Sequence, residues 1–204
     1  MTELYALYFN GLGSGKTRWI ERLAFHYLAK RGIHVTHAHV DWQSDESFTS
    51  LFECMTKLTR AQLREHGSLL LVGSSAGGSL AVNIAARLHD KDLRVITLCS
   101  RLRLAKLPWW DYRSLERMAY LGTPKASQSF FDSVTHCSLQ AIPQLSKADK
   151  QRIIIVRQWA DTVVPRATMG IEGVCYYNVP ALGHGWGIAM GVRRLPKVVK
   201  RLGS

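Results

Sequence analysis

Short runs of consecutive apolar residues alternate along this chain with longer stretches in which apolar residues recur every three to four positions. The first run is LYALYF at 4–9; unbroken apolarity, rather than alternation with polar residues, is what a strand buried on both faces requires. A helical stretch follows near 16–31, with Ile20, Leu23, Ala24, Tyr27 and Leu28 on one face, and Gly32 stops it. The alternation continues with a strand near 33–40, a helix near 45–65 whose Phe48, Leu51, Phe52, Met55 and Leu58 form one stripe, the strand LLLV at 69–72 and a helix over about 76–89. Strands are predicted near 93–98, at 152–157 (RIIIVR) and, shorter, near 174–179, followed by a helix near 188–202 that Pro196 interrupts or starts. Strand and helix alternating at this spacing predict an α/β fold, a mostly parallel central sheet with helices on both faces. In open sheets of that kind ligands sit beyond the carboxyl ends of the strands. The segment 100–148 breaks the rhythm with Pro108, Trp109, Trp110, Tyr112, Pro124, Phe130, Phe131 and Pro143, and is predicted as a small helical cap over that edge.

Bulk properties narrow the picture. The 204 residues suffice for one domain spanning 1–204 with its own core. No repeat, low-complexity tract or linker divides the chain. No apolar run approaches the roughly 18 residues that a membrane span needs, and MTELYALYFNGLG lacks the basic start and cleavage site of a signal peptide, so a cytoplasmic protein is expected. Cys54, Cys99, Cys137 and Cys175 form no CxxC pair and are expected to be reduced and structural. Nothing in the sequence sets an oligomeric state. The unusual quantity is charge: 27 Lys and Arg against 15 Asp and Glu leave a net +12. It is spread along the chain, with mild concentrations at Arg94 to Lys106 and at Arg193, Arg194, Lys197, Lys200 and Arg201 and without a nucleic-acid motif, which predicts a solvated basic surface with at most weak, non-specific anionic partners.

Candidate chemistry lies at strand ends. Gly73-Ser74-Ser75-Ala76-Gly77 directly follows LLLV and directly precedes a helix. A serine on so tight a turn has a strained backbone and tolerates only small residues two positions to either side. The turn projects the Ser75 hydroxyl over the sheet and puts the Ala76 N–H at a helix N-terminus, where an oxyanion is favoured. A serine hydroxyl needs a base, and the base needs an orienting partner. Asp161 (WADTVVP) follows RIIIVR and His184 (ALGHGWG) follows the strand near 174–179, each expected on a loop at a strand's carboxyl end.

These motifs resemble the α/β-hydrolase superfamily over most of the chain. Asn10-Gly11-Leu12-Gly13 resembles the oxyanion turn, with Leu12 where the family supplies a second backbone donor beside Ala76. Gly73 to Gly77 matches the nucleophile elbow, and WADTVVP and LGHGW resemble the acid and histidine turns. Asn10 departs from the histidine that many members carry, which leaves the donor intact but raises the question of what supports the turn. The resemblance implies a compact serine hydrolase that cleaves a small-molecule ester, thioester or amide through an acyl-enzyme, without cofactor or metal.

Three other readings stand beside it. Residues 10–17 approach a phosphate-binding P-loop, with Lys16 and Thr17 in place, but Asn10 stands where its first glycine belongs; Asp41 would then hold magnesium. His37-Ala38-His39-Val40-Asp41-Trp42 approaches a metal-binding HxHxDH run, with Trp42 replacing the last histidine. A hydrolase fold that has lost catalysis would be a binding module. Trp159, Trp186, Trp109 and Trp110 are candidates for an apolar acyl or leaving-group pocket, at least half of them being expected instead to fill the core or hold the cap.

Overall fold

A computed structural model describes residues 3–12, 19–104 and 128–202. Its centre is a six-stranded sheet in the order β2-β1-β3-β4-β5-β6. The strands are β1 (Leu4–Phe9), β2 (Ile33–Ala38), β3 (Leu69–Ser74), β4 (Leu93–Leu98), β5 (Ile153–Ala160) and β6 (Cys175–Leu182). Every pairing is parallel. Parallel neighbours need a crossover, and helices supply it: α1 (Trp19–Ala29) joins β1 to β2, α2 (Phe48–His66) joins β2 to β3, and α3 (Ala76–Leu88) joins β3 to β4. Between β4 and β5 lies α4 (Gln128–His136), which runs on through a π turn at Cys137–Ala141 and one more helical turn at Ile142–Gln144, and then the short α5 (Lys147–Gln151). α6 (His184–Val199) follows β6.

The unbroken apolar runs are explained by two cores, one on each side of the sheet. Leu69 and Leu71 of β3 face one core with Phe52, Leu80, Ile84 and Val134, whereas Leu70 and Val72 face the other with Leu28, Val192 and Leu195. These four residues, three leucines and a valine, are all buried, each worth about 1.5–3 kcal/mol against exposure. α2, α3 and α4 therefore cover one face, and α1 and α6 the other.

Boundaries moved where local signals were indirect. α2 starts at Phe48 rather than 45 because Ser47 caps it, its hydroxyl accepting from the Ser50 N–H. β5 and β6 extend to Ala160 and Leu182, past the apolar runs, through a bulge between Gln158 and Ala160. α6 begins at His184, four residues earlier than expected, and continues through Pro196. Gly183, Gly185, Gly187 and Gly191 depress its helix propensity and hide its start. Of the segment where a cap is expected, 105–127 lies outside the described residues. Phe130, Val134, Cys137 and Ala141 in the remainder join the core beside α3.

The strand order reverses between β1 and β3, since the chain leaves β1 towards β2 on one side and returns to β3 on the other. At such a switch point the crossovers diverge and leave a crevice at the carboxyl edge. Residues 10–12 and 74–76 meet there.

Candidate active site

Ser75 has φ 50° and ψ −114°, outside the regions open to an L-residue, as the tight turn demands. The strain is held by its surroundings. The Ser75 N–H donates to the Leu98 carbonyl at 2.9 Å, and glycines make room for the turn. A Cβ on Gly73 would collide with the Gly77 backbone, and one on Gly77 with the Phe9 carbonyl. Ser75 caps the N-terminus of α3, whose first N–H groups, Ala76 among them, have no partner within the helix. The 10–12 turn lies directly beside it: a Cβ on Gly11 would stand 2.9 Å from Ser75 Cβ and 3.5 Å from Oγ.

His184 reaches both partners. Its Nδ1 lies 2.9 Å from Asp161 Oδ2 and its Nε2 2.9 Å from Ser75 Oγ. Asp161 is held by its other oxygen, which accepts from the Val163 and Val164 N–H groups at 2.8 and 2.9 Å. A carboxylate so placed can only accept, so the shared proton belongs on His184 Nδ1, and Nε2 presents its lone pair to the Ser75 hydroxyl. The Asp161 side chain is 3 % exposed and that of His184 16 %, so their contact is well shielded from bulk water. The expectation of a loop for His184 needs correcting, because it is the first residue of α6, entered through Gly183 at φ 88°. The three residues expected to converge therefore do so, from the ends of β3, β5 and β6.

Sequence reasoning missed the layer beneath. Cys99, itself at φ 51°, donates its thiol to Gln158 Oε1, and Gly187, one turn into α6, packs against both side chains. Burial first, and the Asp161 charge second, push the Cys99 thiol up to about 12, so it serves as a small donor and not as a nucleophile. A glutamine inside an apolar strand was the available signal. Asn10 is also better supported than its departure from the family suggested. Its Oδ1 accepts from the Val40 N–H at 2.8 Å, its Nδ2 donates to the Val40 and Gly11 carbonyls at 2.9 Å each, and its carbonyl accepts from Trp42 Nε1 at 2.9 Å.

The rival motifs fare differently. Residues 13–17 of the P-loop-like run lie outside the described residues, and Asp41 serves the local turn, one carboxylate oxygen accepting from the Gln43 N–H and its backbone carbonyl from the Ser44 hydroxyl. His37 and His39 have ring centroids 6.1 Å apart, and among the described residues no three His, Cys, Asp or Glu side chains gather as a metal site. Trp159 and Trp186 are 66 % and 70 % exposed, the first near the end of β5 just before Asp161 and the second in the first turn of α6 just after His184, while Trp109 and Trp110 lie outside the described residues. Among the described residues, the indole that fills core is Trp42. No helix among the described residues is long and apolar enough to cross a membrane.

The fold is shared with solved structures. Est1E from Butyrivibrio proteoclasticus superposes with a TM-score of 0.67 at 12 % identity, covering 100 % of this chain and 90 % of its own. A carboxylesterase from Nitrososphaera gargenis gives 0.64 at 13 % identity over 97 % and 89 %, and a monoacylglycerol lipase from Paleococcus ferrophilus 0.59 at 15 % over 99 % and 96 %. No protein-family model matches the sequence, and no curated protein matches it. The chain has the α/β-hydrolase fold, and its structural neighbours are esterases, lipases and other hydrolases of that superfamily.

Proposed function

We propose that this chain is a serine hydrolase that cleaves an ester, thioester or amide through an acyl-enzyme. The observation that carries this reading is the double hydrogen bond of His184, to Asp161 on one side and Ser75 on the other. In this reading His184 Nε2 takes the Ser75 proton as Oγ attacks the acyl carbon, and the imidazolium so formed is stabilised by Asp161. The carbonyl oxygen becomes an oxyanion and accepts from the Leu12 and Ala76 N–H groups. The proton then passes from Nε2 to the leaving group, and a water activated by the same nitrogen hydrolyses the acyl-serine. No step calls for a metal or cofactor.

The esterase and lipase neighbours favour oxygen esters of small molecules as substrates. Four free cysteines, none paired, fit the reducing cytoplasm. The test uses a fluorophosphonate probe and an activated short-chain ester. Wild type should label and turn over, and Ser75→Ala should do neither while keeping its circular dichroism spectrum. Wild-type turnover by a purified Ser75→Ala preparation would end the assignment and return attention to residues 10–17 as a nucleotide site.

A further inference from the structure

The oxyanion donor expected from Leu12 is a backbone N–H, and a backbone N–H is useful only if its peptide plane is held the right way round. A trans peptide points its carbonyl and its N–H in opposite directions. The Gly11–Leu12 peptide has its carbonyl bound by Asn10 Nδ2 at 2.9 Å. The amide that binds it lies on the β2 side of β1, because the same side chain pairs with both the N–H and the carbonyl of Val40, two residues past the end of β2. Ser75 stands on the other side, at the end of β3, since β1 lies between β2 and β3 in the sheet. With the Gly11 carbonyl tied towards β2, the Leu12 N–H is turned towards β3 and Ser75.

From this we propose that Asn10 is the positioning residue that presets the Leu12 oxyanion donor. Its amide continues the β1–β2 ladder beyond Ala38 and uses its remaining hydrogen to set the plane of the next peptide. The clamp is itself clamped: the Asn10 carbonyl accepts from Trp42 Nε1, and the Trp42 ring is buried edge-on against Phe130. Asn10 is 6 % exposed, so no bulk water competes for these bonds. The inference rests on the serine-hydrolase reading for its catalytic consequence and on geometry alone for the peptide's orientation.

Asn10→Asp tests it sharply, because the carboxylate can still accept from Val40 but sets an oxygen against the Gly11 carbonyl, which drives that peptide to turn over. Asn10→Ala removes the clamp without adding a charge and serves if the aspartate variant fails to fold. With active sites counted by fluorophosphonate titration, kcat on a small activated ester should fall about 10- to 1,000-fold, up to the loss seen when one oxyanion donor is removed outright. KM should change less than about threefold, since a ground-state carbonyl needs the donor little. Crystal structures should find the Leu12 N–H on the Ser75 side in wild type and turned or disordered in the variants. Unchanged kcat per titrated site, or a peptide that keeps its orientation in both variants, overturns the proposal. A wild-type protein that neither labels nor hydrolyses any ester would instead overturn the hydrolase reading, and the crystal structures would still decide whether Asn10 sets the plane.

Discussion

Ser75 stores energy in its own backbone. A residue held at φ 50° and ψ −114° costs of order 1–3 kcal/mol, whereas glycine occupies that region freely and loses about 0.5–1 kcal/mol through greater freedom in the unfolded chain. Ser75→Gly should therefore be at least as stable as wild type, its melting temperature unchanged or raised by a few degrees, with turnover abolished. Differential scanning calorimetry checks this, and a marked fall in melting temperature would show that the hydrogen bond to His184 outweighs the strain. At this scale the sequence was informative wherever a residue's role depends on its neighbours in the chain. Ser75 declares itself by Gly73 and Gly77, and Asp161 and His184 by the strands before them. Gln158 and Trp42 could not be read in that way, because their partners Cys99 and Asn10 lie 59 and 32 residues away and meet them only in the folded sheet.

Among elements, α4 is fastened to α3 by polar contacts within an apolar layer. Ser79 and Ser133 share a hydrogen bond of 2.8 Å, and Asn83 donates to the Ser133 carbonyl at 3.0 Å. Because its N–H is spent there, the Asn83 oxygen accepts from His136 Nδ1 at 3.1 Å, and the imidazole packs against the stacked rings of Phe48 and Phe52. Burial, with Arg87 adding to it, holds His136 below the usual histidine range. The unfolded chain takes up this proton near pH 6.5 and the folded chain only at lower pH. Stability present above about pH 6.5 is therefore lost as pH falls through the folded value. His136→Gln keeps a donor for Asn83 and cannot titrate there, so its melting temperature should fall less between pH 7.5 and 5.5 than that of wild type. Equal falls would place the sensitivity elsewhere. The strands were legible because a parallel sheet buried on both faces writes itself as unbroken apolar runs. α4 was obscured by the π turn after His136, which shifts the helical period, and the start of α6 by its glycines.

For the whole molecule, the fold sets a second basic segment beside the basic C-terminal one. Residues 19–31 and 184–202 together carry eight Lys and Arg against one carboxylate, Glu21, and the helices within them, α1 and α6, pack side by side on the same face of the sheet. Two of these cations are braced on aromatic rings, Arg31 3.5 Å from the centre of Tyr27 and Arg201 5.0 Å from that of Tyr177. Crowded like charge destabilises the compact state, and salt screens it over a Debye length of about 30 Å at 0.01 M and 10 Å at 0.1 M. The melting temperature should accordingly rise between these two salt concentrations. Lys197→Glu combined with Lys200→Glu should flatten that rise, and an equal rise in the double variant would move the repulsion to another face. Weak association with acidic vesicles or nucleic acid should vanish over the same range.

The bond from His184 to Ser75 spans 109 residues of chain. A ribosome finishes the strained serine and its helix long before it reaches the histidine, and in between it must build β4, β5 and β6. On the proposed mechanism, the nascent chain during that interval carries a nucleophile with no base to awaken it. For the proposed hydrolase the separation would act as an interlock: a partly synthesised or partly folded copy, however well formed its first three strands, would have no means to attack the cell's acyl compounds until β6 has docked and α6 has turned its first residue inward.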